Sequence, residues 1–242
     1  MKINRFIALV VFAGMTLSSC IGLPGFGMAG SGDVVVSART VGAFDTIDTG
    51  GSAEVRVHKG PAARVVVSTD ANLQEYYTAA TSGGVLRLGF ATGTSVSRVT
   101  RLVVDVYAPD IESVSVSGSG DMTFVDAFAG DAFAASVSGS GSVQGSLRFE
   151  TVSAKISGSG SILLTGACET LDLTVSGSGT FEGRGMQASS VTATLSGSGD
   201  AEVFATKRLD ARLSGSGQIR YDGSPVVNAS VSGSGSIRHL GD

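Results

Sequence analysis

A serine held between glycines is a place to look for nucleophilic chemistry, and this chain repeats the phrase Ser-Gly-Ser-Gly seven times. The copies begin at Ser117, Ser138, Ser157, Ser176, Ser196, Ser214 and Ser232. A catalytic serine needs a neighbouring base and a tight elbow that exposes its hydroxyl. No serine in the chain is framed as Gly-x-Ser-x-Gly, and only two histidines, His58 and His239, could serve as bases. His58 ends a Val-Arg-Val run beside Lys59-Gly60-Pro61 and reads as a strand-end surface residue. His239 takes the place that Phe124, Val203 and Tyr221 hold in other repeats and reads as terminal packing.

Paired carboxylates are the next chemistry to test, since glycoside hydrolysis needs two of them a few ångströms apart. Asp172 and Asp210 share a repeat position but stand two repeats apart, and Asp121 and Asp200 stand four apart. Glu182 and Glu202 are equivalent in adjacent repeats, where an isolated solvent-facing pair reads as solvated surface. Gly118-Ser-Gly-Asp121 and Gly197-Ser-Gly-Asp200 resemble the Gly- and Asp-bearing calcium repeats of β-rolls. Five of the seven copies lack the Asp, which argues against a regular ion column. The expectation is therefore no catalytic residue, no metal and no cofactor. Cys168, in the apolar run Ile162-Leu-Leu-Thr-Gly-Ala-Cys, reads as a small packing residue.

The elements that carry these residues follow from spacing. Successive copies are 18 to 21 residues apart, a period that marks a solenoid. One residue before each first serine stands Val116, Val137, Ile156, Val175, Leu195, Leu213 or Val231. Five residues after it stands Met122, Val143, Ile162, Phe181, Ala201, Ile219 or Ile237. The places between are almost all polar, so the pattern is period-2 alternation with one face buried. A flexible Gly-Ser linker has no reason to keep such alternation. Coils this short predict an all-β, parallel β-helix (β-solenoid), with equivalent residues stacked about 4.8 Å apart. Polar connectors such as Ala127-Phe-Ala-Gly-Asp and Gly183-Arg-Gly-Met-Gln are expected as variable loops on one edge.

Parity divides the phrase between two tasks. In unbroken extended chain the serines Ser117 and Ser119, Ser138 and Ser140, Ser157 and Ser159, Ser176 and Ser178, Ser196 and Ser198, Ser214 and Ser216, and Ser232 and Ser234 all face solvent. They form the candidate exposed ladder. The glycines Gly118 and Gly120, Gly139 and Gly141, Gly158 and Gly160, Gly177 and Gly179, Gly197 and Gly199, Gly215 and Gly217, and Gly233 and Gly235 would then face inward. Glycine in a strand costs roughly 0.5–1 kcal/mol relative to alanine, so its repetition predicts a corner where only glycine fits.

The rest of the chain supplies an address and a base. Lys2 and Arg5 precede the apolar run Phe6–Leu17, which ends in Leu17-Ser18-Ser19-Cys20 and resembles a bacterial lipobox. This predicts a lipoprotein signal peptide over 1–19, lipidation at Cys20, and a membrane anchor of several acyl chains. Ile21, rather than Asp, after the cysteine makes the outer membrane the expected destination. Residues 20–33 read as a lipid-anchored Gly-rich tether, 34–116 as an N-terminal β-rich part, and 117–242 as the repeat solenoid. Within the N-terminal part, Ile47-DTGGSAEV lines up with Leu195-SGSGDAEV, Thr81-SGGVLRL has a similar rhythm, and Asp70–Ala80 is the one helical stretch. Loss of Lys2 and Arg5 leaves 15 basic against 21 acidic residues, net −6, with no basic cluster, so no nucleic acid is expected as a partner.

The reiterated phrase, together with Phe44-Asp-x-Ile, Asp70-Ala-Asn-Leu and Leu102-VVDVYAPDIESVSVSGSG, resembles the auto-transporter adhesin head-GIN domain family of exported bacterial proteins. The likeness runs over roughly residues 37–240. It implies a right-handed parallel β-helix and an extracytoplasmic location, and it brings no catalytic set. The expected function is a non-enzymatic, adhesin-like binding or scaffold module of the cell envelope, with a glycan or protein ligand. The alternative is a polysaccharide-active enzyme on the same scaffold, which requires acids or histidines of neighbouring coils along one groove. The last coil, ending Ser236-IRHLGD, carries no amphipathic cap, so self-association through an open solenoid end is a further expectation.

Overall fold

The computed structural model describes residues 27–241; the expected signal peptide over 1–19, Cys20 and the first part of the expected tether lie outside the described residues. From Ser113 onward the chain winds as stacked parallel coils, and the whole makes a β-solenoid of about 7 turns. Alternation dictates the stacking. Val116 lies opposite Val137, then Ile156, Val175, Leu195, Leu213 and Val231 follow in unbroken register. Along one coil Ile162, Leu164, Leu171, Leu173 and Val175 are at most 2% exposed. Each such side chain is worth about 1.5–3 kcal/mol of burial, which repays the ordering of a loop-poor coil.

The extended segments Ser142–Gly158, Ser161–Gly177, Thr180–Gly197 and Asp200–Gly215 each end on the first glycine of the phrase. The chain turns there because that glycine has φ between +115° and +127° in all seven copies. The second glycine is buried in every copy but the last, where Gly235 is half-exposed; the first sits at the corner, half-exposed or exposed. The positive φ breaks the strand alternation, so the two glycines do not share one face. Each corner is fastened to the coil before it. The carbonyl of Gly118 accepts from the N–H groups of both Ser140 (2.8 Å) and Gly141 (3.0 Å), and that of Gly139 accepts from Ser159 and Gly160.

The connectors are not loops. Ala127–Asp131 and Gly183–Gln187 build a third side of the coil, with Phe128 and Met186 in the core. Their buried positions demand strand, and unequal repeat lengths are taken up locally, as between Gly183 and Gln187 where the register shifts. Gly145 makes room for the Phe124 ring, since a Cβ there would lie 2.7 Å from Phe124 Cβ.

The N-terminal part continues the stack and then departs from its parallel order. Thr46–Gly51 runs parallel to Ser113–Gly118, and Glu54–Lys59 parallel to Asp121–Phe124, so residues 46–59 form a further coil. Val55 stands in the column of Met122, and hence of Ala201, not of Val203. The alignment of Ile47-DTGGSAEV with Leu195-SGSGDAEV therefore slips by two residues, which leaves inward parity unchanged. Beneath this coil lie Val85–Phe90 and Leu102–Ala108, both parallel to it. Antiparallel strands then take over: Tyr77–Ser82 on Val85–Phe90, Arg64–Asp70 on Leu102–Ala108, and Val34–Arg39 on Arg64–Asp70. The Thr81-SGGVLRL rhythm is thus a hairpin, turned by Gly83 and Gly84 at φ +58° and +80°. The Asp70–Ala80 stretch is helical only as a 3₁₀ turn at Ala71–Leu73.

The Gly-rich stretch is docked from Gly27 onward. Met28–Ala29 pairs with Val96 and Arg98, and Ser31 N–H donates to Asn72 Oδ1 at 2.9 Å. The buried carboxylate of Asp70 accepts from Gly32 N–H (2.7 Å) and Thr100 N–H (2.8 Å). Burial pushes its pKa up, but the Thr100 and Gly32 hydrogen bonds outweigh this and hold it below the usual carboxylate value.

Candidate functional site

The surface offers two long faces that meet at the Ser-Gly-Ser-Gly corner. Before the corner, outward places in successive coils are Ser113 and Ser115, Ala134 and Ser136, Ser153 and Lys155, Asp172 and Thr174, and Thr192 and Thr194. The first serines of the phrase complete this face in one in-register column from Ser117 to Ser232. All fourteen serines of the seven phrases are exposed. Among them only Ser117 makes a side-chain hydrogen bond within the described residues, from Oγ to the Thr49 carbonyl at 3.3 Å. Hydroxyls therefore stand about 4.8 Å apart from coil to coil, each with donor and acceptor capacity directed to solvent.

The glycines fix that column in place. A Cβ built on Gly158 would lie 2.6 Å from the Gly139 carbonyl oxygen, and one on Gly179 would lie 2.7 Å from that of Gly160. Real Cβ atoms do not approach carbonyls so closely, so both positions of the phrase exclude any side chain.

After the corner the polar groups are spent on one another. Ser142 Oγ donates to Asp121, Gln144 Nε2 donates to Thr123 Oγ1 at 2.8 Å, and Gln218 N–H donates to Asp200 Oδ1 at 2.9 Å. Arg220 pairs with Glu202 at 2.7 Å. The two faces thus differ in what they leave available to a ligand.

The acids weighed for hydrolysis are placed as follows. Thr192 stands between Asp172 and Asp210, so these two carboxylates are separated by a coil. Asp210 is held by Arg208 and Asn228, which lower its pKa to about 2. Glu182 and Glu202 are direct neighbours across adjacent coils, with Glu202 drawn to Arg220. One alignment escaped the sequence reading: Asp131, Glu150 and Glu169 occupy equivalent exposed places in three consecutive coils, the first inside the connector Ala127–Asp131 expected to be loop. Among the described residues no group of three or more His, Cys, Asp or Glu is arranged to hold a metal ion.

His58 Nε2 lies 3.1 Å from Asp105 Oδ1, and its ring stacks on Tyr107 with centroids 4.7 Å apart. Arg64 covers the same Tyr107 ring at 4.4 Å. His239 packs edge-on against Tyr221 and sits 3.0 Å from the Gly223 carbonyl. Cys168 is buried, and that burial, with Glu169 adjacent, pushes its thiol up to about 11. Such a thiol carries almost no thiolate at neutral pH.

Comparison with known proteins supports the same architecture. A "putative adhesin" from Bacteroides fragilis has a TM-score of 0.84 at 23% identity, covering 88% of this chain and 100% of that one. A "putative lipid binding protein" from Parabacteroides distasonis has a TM-score of 0.72 at 24% identity, covering 88% and 99%. A "putative adhesin" from Parabacteroides merdae has a TM-score of 0.70 at 23% identity, again covering 88% and 99%. At these identities the likeness concerns the fold. No functionally curated protein matches the chain. Residues 43–225 match one family profile across the N-terminal coil, the corners and nearly all of the repeats, and on that match the chain belongs to the family described as "Putative auto-transporter adhesin, head GIN domain".

Proposed function

We propose that the protein is a lipid-anchored, non-enzymatic module of the cell envelope that binds an extended ligand along its hydroxyl face. One observation carries this reading: the corner serines form an in-register, exposed column whose hydroxyls, Ser117 apart, make no hydrogen bond within the described residues. A ligand that meets such a column gains many weak, equivalent hydrogen bonds, so an extended repeating chain, glycan or protein, suits it better than a compact one. Names among its structural neighbours, adhesin and lipid-binding protein, favour binding over catalysis. Of the acids, Glu202 and Asp210 are engaged by arginine, while Asp131, Glu150 and Glu169 stay exposed along two open depressions, the second shared with Arg148. The family name and the lipobox-like Leu17-Ser18-Ser19-Cys20 support a place in the cell envelope, with the acyl chains of Cys20 in the outer membrane.

The experiment is retention on a glycan array and on immobilised envelope extract, comparing the native chain with a triple variant, Ser157→Glu, Ser176→Glu and Ser196→Glu. Loss of retention in the variant is expected, with the far-ultraviolet β signal checking that the three stacked carboxylates, exposed to solvent, leave the fold intact, and with the neutral triple alanine variant as the control should they not. Equal retention by both would place the binding elsewhere, and silence on both surfaces would leave only a scaffold role.

A further inference from the structure

The two ends of the solenoid are built differently. At the N-terminal end the parallel coils give way to antiparallel strands, Val34–Arg39 and Tyr77–Ser82 outermost. At the other end Val226–Gly233 has one strand partner among the described residues, Arg208–Gly215. All eight of its residues are exposed, including Val226 at 77%, Val227 at 38% and Val231 at 44%. Yet Val227, Ala229 and Val231 continue the inward ladders of Leu209, Ala211 and Leu213, which are at most 2% exposed. The last layer of the core and the outer backbone edge of this strand are therefore open together.

Proteins blunt such edges with charge, proline or a bulge. The strand, Val-Val-Asn-Ala-Ser-Val-Ser-Gly, carries none of these, and its register with the coil beneath has no shift. In that coil Arg208, Asp210 and Arg212 occupy the places where the terminal strand has Val226, Asn228 and Ser230. Charge thus disappears at the layer where another strand would lie. A fitting occupant is an uncharged, flat strand with small or β-branched residues at every second place, and the chain's own terminal strand is one.

We infer that the C-terminal ends of two copies of this chain pair, strand 226–233 running antiparallel to its own copy about a two-fold axis at Ala229. That centre sets inward residues on inward residues, Val227 against the partner's Val231, and outward on outward, Asn228 against the partner's Ser230. No like charges meet across it. The contact is isologous and uses the C-terminal edge of both copies, so it closes at two chains rather than running into a fibre. This pairing does not depend on what the hydroxyl face binds.

The test is sedimentation of the full chain in a detergent matched to solvent density. Two chains per particle are expected, with Val231→Lys reducing the protein mass by half while the far-ultraviolet β signal stays unchanged. Ala229→Cys should give an interchain disulfide on mild oxidation and Ser138→Cys, on the side of the solenoid, should not; this pair decides the matter if the lysine variant fails to fold. A single chain per particle at the highest attainable concentration would overturn the inference. So would a mass indifferent to Val231→Lys, a cross-link absent from Ala229→Cys, or growth beyond two chains.

Discussion

At Gly158 one methyl group decides whether a coil can close. Its φ of +124° is costly for any residue with a side chain, about 1–3 kcal/mol, and the Gly139 carbonyl leaves no room for one. Gly158→Ala should therefore lower stability by about 2–4 kcal/mol in denaturant unfolding, strain and overpacking together. Ser157→Ala, one residue earlier and exposed, should stay within about 0.5 kcal/mol. Equal losses at the two positions would mean that the corner does not depend on its glycines. The sequence shows that glycine is required here, because its cost would otherwise not be repeated. It does not show that the two glycines differ, since alternation treats the strand as unbroken: Ile156, Gly160 and Ile162 keep one inward parity across the corner, and only Gly158, in the left-handed region, leaves it.

Among the elements, the segment Gly27–Asp33 depends on one carboxylate. Asp70 has a lowered pKa in the folded chain, so its contribution is complete above the ordinary value of about 3.9 and is lost as pH falls below it. Hydrogen-exchange protection at Gly32 and Thr100 should fall below about pH 4 while the coil amides stay protected, and Asp70→Asn should remove that pH dependence. Protection that is flat between about pH 5 and pH 3 would show that Asp70 does not latch the segment. The strands of the N-terminal part are legible in the sequence as short alternating runs. Their partners are not: period 2 states which face is buried but neither direction nor neighbour. For the same reason a slip of two residues between Val55 and its column leaves no trace in the pattern. The aligned acids Asp131, Glu150 and Glu169 were hidden differently, because their segments vary in composition and give no repeat to follow.

For the whole molecule, the proposed anchor and the stack together would set how the proposed binding face is presented. Cys20→Ala should move the protein from the membrane fraction to the soluble fraction, and continued membrane association would refute lipidation as the anchor. The solenoid itself was readable from seven copies of one phrase, because each copy preserves the inward ladder that fills the core. Coil 142–158 stacks on coil 161–177 in register, with Val143 on Ile162, Val152 on Leu171, Ile156 on Val175 and Ser157 on Ser176. Gene duplication of one nineteen-residue unit would thus add a storey about 4.8 Å tall whose floor and ceiling already match. With Cys20 as the proposed anchor, reach from the membrane would be a heritable dial, turned one coil at a time.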